Sequence, residues 1–143
     1  MPDVNVLVYA HRADEETHAG YRAWLEGLVN GAEPFALSAL VAVGFVRIVT
    51  NPRIYPSPTP LTVALGVIDE LHAHPRCRLV VPGPDHWTRV SDLCRKTGAG
   101  GKLVADAQHA AIAIAEGCTW VTRDDDFARF VDHGLRWEHL VLR

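Results

Sequence analysis

Cysteine is scarce in this 143-residue chain. Cys77, Cys94 and Cys118 are an odd number, widely spaced and without a C-x-x-C pair, which excludes a disulfide framework or a thiolate zinc site and suits reduced thiols in or near a core. Long hydrophobic runs are missing too: the apolar stretch from Ala39 to Val46 stops at Arg47, far short of a membrane span. No signal peptide opens the chain, so a cytoplasmic protein without membrane association is expected. A basic surplus is also absent. With 14 Lys and Arg against 17 Asp and Glu, the net charge is -3, and a nucleic-acid partner would have to be drawn by a local patch or through metal ions. Repeats, low-complexity tracts and linkers are not found. What is present, 48% hydrophobic and 22% charged residues, fits one domain over residues 1–143 with a single core.

Hydrophobic periodicity and breaker residues divide the chain into alternating strands and helices. Asp3 opens a stubby first strand that turns into a helix. A helix with one buried stripe follows from Glu15 to Gly31, carrying Tyr21, Trp24, Leu25 and Leu28. Phe35 to Leu37 form a short buried strand, Ser38 caps the next helix, and that helix runs from Ala39 to Val49, ahead of Asn51-Pro52. Four prolines between Pro52 and Pro60 make a rigid loop, with Thr59 as cap and Pro60 at the first position of a helix whose buried face holds Leu61, Leu65, Ile68 and Leu71. Arg78 to Val81 is a strand, and Pro84 to Thr97 a helix with Trp87, Val90 and Cys94 on one side. Gly101 to Gly117 is a helix apolar on nearly every face, hence buried. A strand near Trp120, a short helix from Phe127 to Val131 and a last strand from Leu135 to Leu142 complete an α/β fold. The expected architecture is a three-layer α/β/α sandwich around a mainly parallel sheet.

Carboxylates carry the chemistry. Asp106 lies within an apolar helix, where an ionised group must be paired, hydrogen-bonded or bound to a cation. Asp124, Asp125 and Asp126 follow a strand directly, and a helix cap needs only one of them. In a parallel sheet, ligands bind beyond the carboxyl ends of the strands, where Asp3, Asp106 and the Asp124 turn converge. Such hard oxygen donors suit Mg²⁺ or Mn²⁺, and the chemistry that follows is phosphodiester hydrolysis by metal-activated water. Arg47, Arg53, Lys96, Lys102 and Arg123 are candidates for a positive rim against RNA phosphates. His109 follows Asp106 by one helical turn, and core packing or a supporting hydrogen bond is its expected role. The tryptophans and Tyr9 are expected in the core.

The segments D-V-N-V-L-V-Y-A at Asp3, L-V-A-D-A at Asp106 and T-R-D-D-D-F at Asp124 resemble the motifs of PIN-domain ribonucleases, specifically the VapC toxins of type II toxin-antitoxin systems. The resemblance runs nearly end to end and includes S-A-L-V-A-V-G-F-V-R-I-V-T-N-P-R-I-Y and D-F-A-R-F with Trp137. It implies a Mg²⁺-dependent endoribonuclease that cuts tRNA or rRNA, is silenced by a VapB antitoxin, and forms a homodimer. By the same resemblance Asp3, Asp106 and Asp124 are the catalytic metal-binding acids, Asp126 a further ligand, and Asn5 and Thr122 supporting hydrogen bonders. One position departs from the family pattern. Many PIN nucleases carry a Glu on the helix after the second strand, and the matching residue is Gly44; a Glu restored there is expected to tighten metal binding. Two rival readings stand beside this one. A degenerate PIN domain would bind RNA or antitoxin without cutting. Another metal-dependent phosphoryl hydrolase is the second, although the D-x-D-x-T of a haloacid-dehalogenase-type enzyme is missing.

Overall fold

A computed structural model describes residues 1–143. The polypeptide begins with two residues of extended chain that deliver Asp3 to the start of α1 (Val4–His11). Pro2 bridges Val121 in the parallel sense; Val121 N donates to Met1 O at 3.0 Å and Asp3 N to Val121 O at 2.8 Å. The stubby first strand therefore exists only as this bridge. Its consequence is positional: the stub runs parallel to the strand containing Val121, so Asp3 and Thr122 emerge at the same carboxyl edge.

After α1 come α2 (His18–Asn30), β1 (Phe35–Ser38), α3 (Ala39–Val49), α4 (Leu61–Ala73), β2 (Cys77–Val80), α5 (His86–Thr97), α6 (Lys102–Glu116) and β3 (Thr119–Thr122). A 3₁₀ helix (Asp125–His133) and β4 (Arg136–His139) end the fold. β1 pairs with β2 in parallel register, Phe35 opposite Cys77, and β3 pairs with β4 likewise, Thr119 opposite Arg136. The architecture is the expected α/β/α sandwich of parallel strands, with its sheet in two two-stranded parts. Helices α1 to α4 pack chiefly among themselves, as do α5, α6 and the 3₁₀ helix. The main core gathers Phe45, Leu37, Trp120, Phe127 and Phe130, all essentially inaccessible, around the small residues Ala107, Ala110, Ala111 and Ala113 of α6. Alanines on that face let α6 lie close to its neighbours. Tyr21 belongs to a second cluster with Val6 and Val121, and its buried hydroxyl is satisfied by Leu140 O at 2.7 Å.

Several local expectations are corrected. On α4, Leu61 and Leu65 are 57% and 46% exposed; the stripe that meets the core is Ala64, Val67, Ile68 and Leu71, the i, i+3, i+4, i+7 set. Apolar residues surround this helix, so composition alone does not single out the buried stripe. Trp87 is 73% exposed in the first turn of α5, one turn ahead of the Val90–Leu93–Cys94 side that packs inward. Thr59 does not cap α4. Its hydroxyl is engaged by His11 Nε2 at 3.0 Å and Arg12 Nη1 at 3.3 Å, part of a network that ties the end of α1 to the proline-rich loop. Arg12 completes that tie with a bidentate pair to Asp14 and a stack over Tyr55. Ser38 stands at the N-cap of α3 without a side-chain cap bond. The three cysteines are free and half-buried against the core, as expected. No helix is long and apolar enough to cross a membrane.

Candidate metal centre

The site is assembled from three chain segments. Asp3 enters from the stub, Asp106 from the second turn of α6, and Asp124 and Asp126 from the turn after β3. Asp3 is both the cap of α1 and the hub of a hydrogen-bond network. Its Oδ1 accepts from Val4 N at 2.6 Å, and its Oδ2 accepts from Thr122 Oγ1 at 2.6 Å and Asn5 Nδ2 at 3.0 Å. Asn5 Nδ2 also reaches Thr122 Oγ1 at 3.1 Å, and Asn5 Oδ1 accepts from Arg123 N at 3.3 Å. The fully buried Thr122 hydroxyl further accepts from Asp124 N at 3.0 Å, so one side chain couples the stub to the acidic turn. His139 Nε2 meets Arg123 O at 2.9 Å and braces that turn from β4.

Asp124 caps the 3₁₀ helix, its Oδ1 accepting from Asp126 N at 2.9 Å. One ligand oxygen from each of Asp106, Asp124 and Asp126 lies within 4.8 Å of the others. Asp125 is exposed and outside that group. Asp126 is held by Lys102 Nζ at 2.9 Å and Arg129 Nη2 at 3.2 Å, and the ammonium draws its carboxyl below the usual range. Asp106 has the opposite environment. Its Oδ2 is buried without a hydrogen-bond partner, and burial followed by the charges of Asp124 and Asp126 pushes its pKa up despite Lys102. Asp3, 8% exposed, is pushed up to about 6, chiefly by burial; the Thr122 and Val4 hydrogen bonds oppose the rise, and the Asp106 and Asp124 charges add to it.

Half-buried carboxylates grouped within 4.8 Å, one of them carrying an oxygen without a hydrogen-bond partner, fit a divalent cation on chemical grounds. All the donors are hard oxygens, and a cation would offset both the burial that chiefly raises Asp3 and Asp106 and the neighbouring carboxylate charges that add to it.

A groove of about 450 Å³ lies between α3 and α6, lined by Val4, Gly44, Arg47, Ala105, Gln108 and His109 among others; Val4 and Ala105 are chain neighbours of Asp3 and Asp106, and no carboxylate lines it. A larger cleft, about 580 Å³, includes Arg78, Gly117, Cys118 and Arg136 in its lining and lies at the opposite end of α6, away from the carboxylates.

The PIN domain pattern matches residues 1–132. The chain belongs to the PIN-domain family. A VapC ribonuclease of Mycobacterium bovis and ribonuclease VapC43 of Mycobacterium tuberculosis are each 45% identical to it over 137 residues, spanning 96% of this chain and 92% of theirs. Ribonuclease VapC25 of Mycobacterium tuberculosis is 39% identical over 128 residues, 90% of each chain. Among solved structures, the fold is similar to a chain of VapBC2 from Rickettsia felis bound to a promoter DNA fragment, at TM-score 0.67 and 22% identity over 96% of both chains. VapBC-1 from nontypeable Haemophilus influenzae gives TM-score 0.61 at 16% identity, covering 96% of this chain and 95% of that one.

Of the acids the motifs single out, Asp106, Asp124 and Asp126 bring oxygens within 4.8 Å of one another, whereas Asp3 lies outside that group and is linked to it through the Thr122 hydroxyl, which also accepts from Asp124 N. Gly44 is different. A Cβ there would stand 2.8 Å from Val4 Cγ2, so any side chain at this position forces Val4 to shift, and Gly44→Glu carries a packing cost that the expected gain in metal binding must exceed. The cationic rim is also uneven. Arg47 faces the groove, and Arg123 lies over the Tyr9 ring at 5.1 Å, but Lys96 is occupied by Asp92 at 2.8 Å and Arg53 sits exposed in the proline-rich loop. Lys102 points at carboxylates rather than outward to a rim. Sequence reasoning missed Arg129, whose i+3 spacing from Asp126 was the available signal. His109 stacks on Trp120 at 5.1 Å, and burial followed by the His86 charge lowers its pKa to about 4, so it is a neutral packing residue. Trp24 and Trp137 are half-buried, leaving Trp120 the one tryptophan fully in the core.

Proposed function

We propose that this chain is a toxin endoribonuclease in which Asp3, Asp106 and Asp124 hold Mg²⁺ or Mn²⁺ against the scissile phosphate of a structured RNA such as tRNA or rRNA. The observation that carries this reading is the grouping of Asp106, Asp124 and Asp126 oxygens within 4.8 Å of one another, on a cluster in which Asp106 Oδ2 is buried without a partner. When bound, the cation supplies a water of lowered pKa and neutralises charge on the phosphate. The protein's own contribution is placement. Thr122 and Asn5 hold Asp3 in one rotamer through a shared oxygen, and Thr122 passes that constraint to Asp124 through its backbone N–H. Asp126 is a further candidate ligand, its carboxylate now shared between Lys102 and Arg129. Arg47 and Arg123 supply positive charge for backbone phosphates beside an otherwise acidic centre.

A VapB-like antitoxin is the proposed protein partner, supported by the likeness to chains of VapBC assemblies and by the groove between α3 and α6 that Arg47 lines. A homodimer belongs to the same reading; the exposed Leu61, Val63 and Leu65 of α4 offer apolar surface for it. Cleavage of total cellular RNA by purified protein tests the proposal, with Mg²⁺ or Mn²⁺ against EDTA and Asp106→Asn run beside it. Discrete metal-dependent fragments that vanish in the variant are expected. Absence of cleavage by folded, antitoxin-free protein would favour a PIN domain that binds without cutting.

A further inference from the structure

The cluster is unevenly paired: Asp126 is bound by two cations of its own chain, while Asp106 Oδ2 has no partner. Arg129 is anchored twice, because its Nε also donates to Asp126 O at 2.9 Å. Lys102 is held more lightly. Its Nζ lies 2.9 Å from Asp126 Oδ2 and 3.8 Å from Asp124 Oδ2, it has no partner beyond these carboxylates, and its side chain is 71% exposed.

Helix stability does not explain Lys102. It is the first residue of α6, where the positive end of the macrodipole disfavours an ammonium. Gly101 before it, at φ 59°, gives no side-chain cap and adopts a backbone conformation that favours glycine. Asp106 follows four residues later on the same helix face. Asp106, Asp124 and Asp126, with Asp3 linked to them through Thr122, set four carboxylates against Lys102 and Arg129, an excess of two negative charges that becomes three when the ammonium withdraws, and either excess favours a divalent ion. If the more weakly held ammonium leaves, the site accepts that ion with less competition.

We propose that Lys102 is a built-in competitor of the metal: its ammonium holds Asp126 and Asp124 in the metal-free protein and is displaced on metal binding. It thereby sets the cation concentration at which the site fills. The inference rests on reading the carboxylates as a divalent-metal centre. Calorimetric titration of the full chain with Mn²⁺ tests it, comparing wild type, Lys102→Met and Lys102→Arg, with Asp106→Asn as the control.

Lys102→Met is expected to bind Mn²⁺ roughly fivefold more tightly, the scale of an exposed ion pair removed from competition. Lys102→Arg, which keeps the charge, is expected to bind like wild type, and the Lys102→Met gain shrinks as NaCl screens the ammonium. Unchanged or weaker Mn²⁺ binding by Lys102→Met, while wild type binds and Asp106→Asn does not, overturns this inference alone. Failure of wild type itself to bind Mn²⁺ overturns the metal-centre reading together with it.

Discussion

Asp3→Asn separates the stability of the metal-free fold from the needs of the site. The folded carboxyl titrates near 6 against an ordinary 3.8. A raised acid pKa means that the folded state holds the proton more tightly than the unfolded chain, so stability falls as pH climbs from about 4 through about 6. A rise from 3.8 to about 6 corresponds to roughly 3 kcal/mol of destabilisation at pH 7. An amide carries no charge and avoids this loss, but it offers only one oxygen to Val4 N, Thr122 Oγ1 and Asn5 Nδ2, at a cost of about 1 kcal/mol. The metal-free variant should therefore be about 2 kcal/mol more stable than wild type at pH 7 and about 1 kcal/mol less stable at pH 4. For a domain of this size, melting temperature should rise by roughly 6 °C at pH 7 and fall by roughly 3 °C at pH 4. Thermal melts in EDTA across pH 4 to 7 read the crossover. Saturating Mg²⁺ should then raise wild type by about 2.7 kcal/mol at a hundred times its Kd and leave the variant nearly unmoved. A melting-temperature difference that does not change with pH would refute the claim that Asp3 is a buried charge held against its own desolvation.

Other perturbations probe separate parts of the account. Asp106→Asn should abolish RNA cleavage and growth arrest on expression while leaving circular dichroism unchanged; undiminished toxicity would remove Asp106 from the mechanism. Gly44→Glu should destabilise the fold by about 1–3 kcal/mol, seen in urea unfolding, because its Cβ meets Val4; an unchanged midpoint would mean that α1 and α3 separate easily. Thr122→Val should lower cleavage at least tenfold by releasing Asp3 and Asp124 together, on the scale of losing a residue that orients metal ligands; an unchanged rate would make that hydroxyl only a core satisfier. Asp126→Ala should lower activity if Asp126 joins the ligand set, and full activity would leave it solely as the partner of Lys102 and Arg129.

The elements most legible in the sequence were those with punctuation. Gly117 closes α6 at φ 64°, Asn51-Pro52 lies just beyond α3, and the alternation of apolar runs gave the α/β order. Asp3, Asp106 and Asp124 stood out in the sequence because Asp3 opens one apolar segment, Asp106 interrupts another and Asp124 follows a third. What stayed hidden depended on which surfaces meet. That the start of α6 stands over the Asp124 turn is a tertiary fact, so Lys102 read as a rim residue rather than a partner of Asp126. The buried stripe of α4 was misread because apolar residues surround that helix and only packing selects Ala64, Val67 and Ile68. The meaning of Gly44 also needed its neighbour: absence of a glutamate is visible in the sequence, but the Val4 methyl 2.8 Å from where a Cβ would stand is not.

Anomalous diffraction from crystals grown with Mn²⁺ tests the central claim most directly. A single strong peak bounded by carboxylate oxygens of Asp3, Asp106 and Asp124, with Lys102 Nζ withdrawn from Asp126, is the predicted result. A peak absent from that cluster at saturating Mn²⁺, or bound only at carboxylates elsewhere on the surface, would contradict it.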